Sequence, residues 1–287
     1  MSTPEPLSPS PSGQPPRQGR AFTLIELLVV IIIIAILAAM LLPTLAAAKS
    51  RGQGTKCLSN LHQLSIAWVS YAGDNGDKLA QNIPSDVSYV ISGGIYATSG
   101  TQDQCQPGQP WASWVLGDAS SPDVTLLTHG QIYPYMGNWH AYKCPADLKT
   151  TTAKSPSLRS YVINSQMGGK PGWVANSQAN FLKLTQINSS LPPTMAMVFL
   201  EDNPQDINDG YWCQDLTQPH QWINCPAHYH VNACSLNFAD GHGQIKKWTD
   251  KGIMQDLSTT TSANGFTADP ASDDLAWVQA RLTALLH

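Results

Sequence analysis

The strongest pattern in the chain is a long apolar stretch near its start, from Ala21 to Leu42, whose polar exceptions are Thr23 and Glu26. As a helix this stretch is about 33 Å long, enough to cross a bilayer. A carboxylate at the end of such a stretch is costly to place in hydrocarbon. The pattern therefore predicts a transmembrane helix over residues 22–42, and it predicts that Glu26 either reaches the headgroups or has a cationic partner.

The helix is predicted to continue beyond the apolar stretch. Pro43 removes one helical hydrogen bond and predicts a kink near that position. Good helix formers follow, and apolar residues between positions 56 and 71 then trace one broad face at helical spacing. That face comprises Leu58, Leu61, Leu64, Ile66, Val69 and Tyr71. We therefore predict one long helix over residues 22–73, with its second half packed against a globular body.

The remaining residues, 74–287, predict a β-rich domain with many turns. Glycine and proline number 21 each, whereas charged residues make up 13% of the chain. Short apolar or β-branched runs predict strands at 87–91, 160–164 and 194–200. Val124 to Met136 predicts a short helix, Tyr142 to Pro145 a strand that enters a turn, and 273–286 an amphipathic helix for which Asp273 is a candidate cap.

A hairpin from Ala233 to Trp248 is the clearest element of the body. Asp240-Gly241 suits a two-residue type I′ turn, in which both central residues have positive φ. That turn pairs Leu236 with Ile245 and places both of them, together with Phe238, on one face of the hairpin.

Charge and cysteine content narrow the classes of function. The net charge is −4, and no basic cluster predicts a nucleic-acid surface. The six cysteines allow 15 complete pairings, among which sequence alone cannot choose. Cys213, Cys225 and Cys234 lie close enough in sequence for a local disulfide between two of them, with buried free thiols or a cross-link elsewhere as the alternatives. The other cysteines are Cys57, Cys105 and Cys144.

Residues 1–20 form a polar leader rich in proline and serine, which cannot bury a core and is expected to be disordered. A secretory signal peptide is the competing interpretation, with Ala46-Ala47-Ala48 as its cleavage site. Two features oppose it. The apolar stretch is longer than the usual core of a signal peptide, and Glu26 lies inside its start.

Phe22-Thr23-Leu24-Ile25-Glu26 resembles the N-terminus of type IV pilins and of type II secretion pseudopilins. In those proteins a prepilin peptidase cuts before such a run and methylates the new amino terminus. The resemblance implies removal of residues 1–21 by cleavage between Ala21 and Phe22, followed by N-methylation of Phe22. Ala21 departs from the family, which more often has glycine there, although both residues are small.

This resemblance also implies a location, a fold and partners. The leader would be cytoplasmic, the helix would cross the inner membrane once, and the body would be periplasmic or extracellular. The fold would be α+β and pilin-like, with the long helix packed on an antiparallel sheet with long loops. The partners would be prepilin peptidase and other pilin or pseudopilin subunits of a filament. In the filament Glu26 would pair with the Phe22 amine of a neighbour, and Pro43 is a proline that such proteins commonly share.

A second resemblance lies in the body. His230, nine residues and then Asp240-Gly241 are similar to the C-terminal signature of a large bacterial family with prepilin-type N-termini, the H-X9-DG group. That family implies no established enzymatic activity. The stretches that look like its internal landmarks are Cys57–Leu61, Cys144–Asp147, Ser160–Asn164 and Phe199–Gly210.

Two groups of residues have metal-binding chemistry. His228, His230, Asp240 and His242 offer zinc ligands, but along a straight strand His230 would lie about 33 Å from Asp240. A hydrogen-bonded structural His230 is therefore preferred. Asp202, Asp206, Asn208 and Asp209 follow a predicted buried strand and offer the hard oxygens that calcium prefers. A polar turn is the favoured interpretation of that loop, and calcium is the alternative.

The alternative function is a membrane-tethered enzyme or carbohydrate-binding module that borrows the N-terminal segment. Trp173, Trp212 and Trp222 could stack on sugars, although anchoring in the core is the favoured role. The chain contains no phosphate-binding glycine loop, no G-x-S-x-G and no H-E-x-x-H. The sequence therefore predicts a structural subunit and no enzyme.

Overall fold

The N-terminal helix, α1, runs from Leu24 to Asp74 in the computed structural model, which confirms the predicted long helix. The chain divides into two compact units, residues 1–46 and 47–287, and the described part of the first unit is the beginning of α1. The structure describes residues 23–82, 89–91, 94–96, 113–117, 119, 121–149, 156–169, 180–254 and 266–283.

Besides the second part of α1, the described part of the second unit contains nine short strands and four short helices. The strands are β1 (Tyr89–Ile91), β2 (Gly94–Tyr96), β3 (Tyr161–Asn164), β4 (Met197–Glu201), β5 (Tyr211–Trp212), β6 (Gln221–Trp222), β7 (Ala233–Phe238), β8 (Gly243–Lys247) and β9 (Phe266–Thr267). The helices are α2 (Thr125–Thr128), α3 (Tyr133–Met136), α4 (Leu184–Ser190) and α5 (Asp274–Gln279), with a 3₁₀ turn over Trp139–Tyr142.

A five-stranded sheet in the order β5-β3-β4-β7-β8 is the centre of this unit. Its neighbours are antiparallel except β3 and β5, which are parallel. Two separate two-stranded sheets pair β1 with β2 and β6 with β9. The fold class is therefore α+β, as predicted, with a mixed sheet in place of a purely antiparallel one.

Apolar side chains cover both faces of the sheet, so the unit has two core layers. One layer joins α1 to the sheet through residues that include Leu61, Trp68 and Phe199. The other layer lies on the opposite face, where Leu236 and Val278 pack together with further residues of α5. Buried β strands carrying apolar side chains on both faces explain why the run at β4 is apolar at nearly every position.

The face of α1 that packs on the body differs from the predicted one. Leu61 and Leu64 are buried as predicted, but Ile66 and Val69 are exposed. The buried residues of the helix are Gly54, Cys57, Asn60, Leu61, Leu64, Ser65, Ala67, Trp68 and Ala72. The prediction was wrong because it selected bulky residues, whereas small ones allow the close packing that is seen here. A Cβ atom at Gly54, for example, would lie 3.0 Å from Cδ1 of Ile245.

The hairpin of β7 and β8 forms as predicted, but its register is shifted by one residue. Leu236 pairs with Gln244, and Ser235 pairs with Ile245. The turn contains three residues, because the N–H of Phe238 donates to the carbonyl of His242 at 3.0 Å. Within the turn Gly241 has a φ of 88°, the left-handed residue that such a loop requires. The predicted type I′ turn was therefore wrong, and Ile245 lies on the face opposite to Leu236.

Smaller elements differ in their bounds or type. The strand predicted at 160–164 is β3, that predicted at 194–200 is β4, and residues 89–91 of the first predicted strand form β1. No strand forms over Tyr142–Pro145, because the 3₁₀ turn ends at Tyr142 and irregular chain follows it. The predicted helix over Val124–Met136 is two helices, α2 and α3. The C-terminal helix α5 begins after Asp273, whose side chain makes no capping hydrogen bond.

Candidate functional site

The first half of α1 presents apolar side chains to its surroundings on all sides. Large apolar residues from Leu24 to Leu45 are between 44% and 86% exposed. Among the described residues, α1 is the one helix long and apolar enough to cross a membrane by length and composition. A helix that is apolar all round needs an apolar environment, and a bilayer supplies one.

Glu26 lies at the start of this helix and makes hydrogen bonds within the same chain. Its Oε2 accepts from the backbone N–H and from the hydroxyl of Thr23, each at 2.8 Å. The hydroxyl of Thr23 in turn accepts from the N–H of Glu26 at 3.2 Å. This reciprocal pattern is a capping box, which satisfies donors that a helix start leaves unpaired. Glu26 therefore has a local role at the helix start, whatever it binds in an assembly.

The helix continues through Pro43, which lies inside α1. The next residue, Thr44, donates from its hydroxyl to the carbonyl of Leu41 at 2.8 Å. Proline cannot donate a backbone hydrogen bond, so the helix loses one bond here without ending. The predicted kink stays a prediction. Ala21 and Phe22, the predicted cleavage residues, lie outside the described residues.

Comparison with known proteins identifies this same segment. The family model for the prokaryotic N-terminal methylation motif matches residues 16–42. The motif supports a type IV pilin-like protein. Neither the curated proteins nor the solved structures contain a significant match to the chain. Since α1 is the one such helix in the described part of the chain, the motif and the helix together indicate a single-pass membrane anchor.

The body contains a second candidate site, which the sequence did not predict. Cys57, Cys144, Glu201 and His230 are all buried, and one potential ligand atom from each lies within 4.8 Å of the others. The Sγ atoms of the two cysteines are 2.8 Å apart. Nε2 of His230 lies 3.6 Å from Sγ of Cys144 and 3.1 Å from Oε1 of Glu201. We call these four residues the Cys-Glu-His cluster.

Helix α1 and the loop before β3 supply the two cysteines of the cluster. Cys57 lies on the buried face of α1, one turn after Gly54. Gly54 lies beside His230, and a Cβ there would be in ordinary contact with the imidazole, 3.5 Å from its Cγ. The N–H of Cys144 donates to the hydroxyl of Ser160 at 3.0 Å, and that hydroxyl donates to Asp147 at 2.6 Å. Both thiols are thus fixed by packing and hydrogen bonds.

Glu201 and His230 reach the cluster from the sheet. Glu201 ends β4, and its second oxygen, Oε2, accepts from the N–H of Ser235 at 2.6 Å. His230 precedes a tight turn into β7, in which Val231 and Asn232 have positive φ values of 57° and 59°. A valine in that conformation is strained, and such strain is more frequent at functional positions than elsewhere.

Burial and the neighbouring groups shift the pKa values inside the cluster. Burial raises the pKa of the Cys144 thiol far above its usual range. The hydrogen bond with Cys144 lowers the pKa of Cys57, but burial and the charge of Glu201 outweigh it, so the net shift is upward. Burial alone would lower the pKa of His230, whereas its bonds to Cys144 and Glu201 raise it to about 10. Neither thiol is therefore a ready nucleophile at neutral pH.

Sequence reasoning missed this cluster because its members are far apart in the chain. Cys57 and Cys144 are separated by 87 residues, and Glu201 and His230 by 29. No local spacing marks them as ligands. One signal was present: Cys57, Cys144 and His230 all lie in stretches that carried the second resemblance.

Nε2 of His230 contacts Glu201, as expected for a hydrogen-bonded histidine, and its role stays a prediction. Asp240 lies instead in the β7–β8 turn, where its Oδ1 is 2.6 Å from Nδ1 of His242. Gly241 supplies the positive φ of that turn. The two ends of the H-X9-DG pattern thus have separate structural tasks, one in the buried cluster and one in a turn.

The acidic loop after β4 has the contacts of a polar turn. Asp202, Asp206 and Asp209 are buried, and Asn208 is exposed. Each buried carboxylate accepts a backbone N–H: Asp202 from Asn203 at 2.9 Å, Asp206 from Cys225 at 2.5 Å and Asp209 from Tyr211 at 2.8 Å. Burial raises the pKa of Asp202, and nearby Asp206 raises it further. Calcium binding by this loop stays a prediction.

Other candidate residues of the body are buried. Trp212 and Trp222 are fully buried, which confirms their role in the core and leaves them no surface on which to stack a sugar. Trp173 lies outside the described residues. Cys225 and Cys234 are buried free thiols, which is one of the alternatives that the sequence left open.

Proposed function

We propose that the chain is the precursor of a structural subunit in a filament of the type II secretion or type IV pilus kind. The observation that carries this proposal is the coincidence of three features in one segment. The methylation motif matches residues 16–42, the helix is apolar and exposed all round, and Glu26 lies at its start. A filament of packed helices would bury this apolar surface and give the carboxylate a partner.

In this proposal prepilin peptidase cuts between Ala21 and Phe22 and methylates the Phe22 amine. The leader is cytoplasmic, α1 crosses the inner membrane, and the body lies in the periplasm or outside. Glu26 pairs with the Phe22 amine of a neighbouring subunit, since an ion pair offsets part of the cost of holding a charge in hydrocarbon. The body has a structural or cargo-contacting role and no catalytic one.

Processing is tested by measuring the intact mass and the N-terminal sequence of the protein recovered from membranes of cells that make prepilin peptidase. The expected product begins at N-methylated Phe22. An Ala21→Gly variant should be cut at the same bond, because both residues are small. A terminus near Lys49 would mean an ordinary signal peptide, and an uncut Met1 would mean a plain anchor; either result contradicts the proposal.

Assembly is tested by two substitutions at Glu26. Glu26→Val removes both the charge and the capping contacts, whereas Glu26→Gln keeps a side chain that can complete the capping box. If the charge pairs with a neighbour's amine, both variants insert into the membrane but neither enters filaments. Normal assembly of Glu26→Gln would show that Glu26 serves only its own helix. Glu26→Asp is the control that retains the charge.

A further inference from the structure

The Cys-Glu-His cluster brings together four side chains whose chemistry is that of a metal ligand set. Two sulfurs, one imidazole nitrogen and one carboxylate oxygen converge within 4.8 Å in the interior of the body. We propose that Cys57, Cys144, Glu201 and His230 form a structural zinc site. This inference rests on the geometry of the body and is independent of the function proposed for the N-terminal segment.

The distances fit a tetrahedral ion after a small movement. Zinc bonds of about 2.3 Å to sulfur and about 2.0–2.1 Å to nitrogen or oxygen place the ligand atoms about 3.3–3.8 Å apart. Nε2 of His230 is already 3.6 Å from Sγ of Cys144 and 3.1 Å from Oε1 of Glu201. The two sulfurs are 2.8 Å apart and would separate by about 1 Å as two thiolates bound to one ion.

Three of the four ligands interact with a hydrogen-bond donor from outside the cluster. The hydroxyl of Tyr161 interacts with the sulfur of Cys57, and the N–H of Ala146 donates to Sγ of Cys144 at 3.4 Å. The N–H of Ser235 holds Oε2 of Glu201, which leaves Oε1 directed at His230. Donors of this kind orient metal ligands and stabilise their anionic forms.

The composition of the cluster favours zinc over other common ions. Two thiolates with one imidazole and one carboxylate suit a borderline-soft ion with tetrahedral preference, whereas calcium and magnesium prefer oxygen ligands only. All four residues are buried, so no face of the site is open to water. A closed four-ligand site is typical of structural zinc, because catalytic zinc keeps one position for water or substrate.

A disulfide between Cys57 and Cys144 is the competing outcome for the two thiols. It would need their sulfur atoms to approach to about 2.0 Å. It would also leave Glu201 and His230 without a role in the link, as a buried pair beside an uncharged bridge. The zinc site uses all four side chains, and the two positive charges of the ion offset two of the three negative charges on the thiolates and the carboxylate; the convergence of four ligand atoms favours it.

The consequence of bound zinc is a cross-link between segments that are distant in sequence. Cys57 belongs to α1, Cys144 to the loop before β3, Glu201 to the end of β4 and His230 to the turn before β7. A ligand that binds only the folded state stabilises it by a free energy that rises with the logarithm of the ligand concentration divided by Kd. Zinc would therefore raise the unfolding temperature of the body and hold α1 against the sheet.

The first experiment uses the full-length chain, produced with added zinc and purified from membranes in detergent. Elemental analysis should find one zinc per chain. Zinc X-ray absorption should show two sulfur ligands at about 2.3 Å and two nitrogen or oxygen ligands at about 2.0–2.2 Å. This measurement needs no variant, so it does not depend on whether a substituted chain folds.

The second experiment compares cysteine variants. Cys57→Ser and Cys144→Ser should lose the zinc, and a chelator should lower the unfolding temperature of the wild type but not of these variants. Cys234→Ser is the matched control, since Cys234 is also a buried free thiol but lies outside the cluster. It should retain the zinc.

Four results would overturn the proposal. They are a chain without zinc after growth in zinc, a Cys57–Cys144 disulfide in unreduced peptide maps, X-ray absorption without sulfur ligands, and equal zinc content in the wild type and both cluster variants.

Discussion

The two halves of α1 are one continuous helix in two different environments. From Leu24 to Leu45 large apolar side chains are exposed in every direction. From Gly54 to Ala72 the buried residues form a single stripe, and the positions between them are exposed or half-buried. The first half depends on an environment outside the chain, whereas the second half is stabilised by packing inside the body.

This difference shows what each kind of helical surface demands of its sequence. A surface that faces lipid needs only to be apolar, so many residue types are interchangeable there. A surface that faces a sheet must match its shape, so the small residues at Gly54 and Ala67 matter as much as the large Trp68. Substitutions of the same type in the two halves should therefore have different effects.

The largest difference is expected from truncation of a large side chain in each half. Trp68 is fully buried in the core layer between α1 and the sheet, and Trp68→Ala should cost the body about 3–5 kcal/mol of unfolding free energy. Leu37 is 56% exposed, and Leu37→Ala should leave body unfolding unchanged. Thermal unfolding of the full-length chain in detergent measures both. Equal destabilisation by the two variants would contradict the division into two environments.

A second test introduces a charge at two matched isoleucines. Ile33 and Ile66 are 51% and 53% exposed, so exposure alone predicts the same outcome for both. Ile33→Lys should reduce membrane insertion, at a cost of about 2.5–3.5 kcal/mol near the centre of a transmembrane helix. Ile66→Lys should keep insertion and change the stability of the body by about 0.5 kcal/mol or less. Carbonate extraction of membranes is the readout, and membrane loss of both variants would place Ile66 in lipid too.

A third test concerns a carboxylate that the body uses in its interior. Asp274 accepts from Nζ of Lys246 and from the N–H of Thr249, each at 2.5 Å. Burial raises its pKa, but these bonds outweigh burial and the net shift is downward. Its stabilisation is therefore present above the unfolded pKa of about 3.9 and is lost as the pH falls through the lower folded value.

Asp274→Asn should accordingly lose about 1.5–3 kcal/mol at neutral pH, the range for a hydrogen bond to a charged group. The gap to the wild type should close in acid. Asp273→Asn is the control, because the Asp273 side chain makes no capping hydrogen bond. Denaturant unfolding at several pH values measures the gap, and a constant gap across that range would refute the role of the charge.

Sequence reasoning succeeded where one local property decides the structure. The apolar stretch before Pro43 determines a helix by composition alone, and the alternation in β7 determines a strand. It failed where the structure depends on contacts between segments that are distant in the sequence. The buried stripe through Gly54 and Cys57 depends on which residues of the body pack against α1. The contact between Cys144 and His230 depends on the arrangement of the whole sheet. No local pattern contains that information.

The three-residue turn between β7 and β8 also determines which side chains of β8 point towards α1 and which point to the opposite side of the sheet. Ile245 faces α1 beside Gly54, and Lys246 faces the opposite side, where it meets Asp274. Because side chains alternate along a strand, the register that the turn sets decides which residues of β8 face the helix. If β8 slipped by one residue against β7, its two faces would be exchanged and Lys246 would point towards the helix. A slip of two residues would preserve both faces, so the register that this turn sets is what keeps Ile245 on the helix and Lys246 on Asp274.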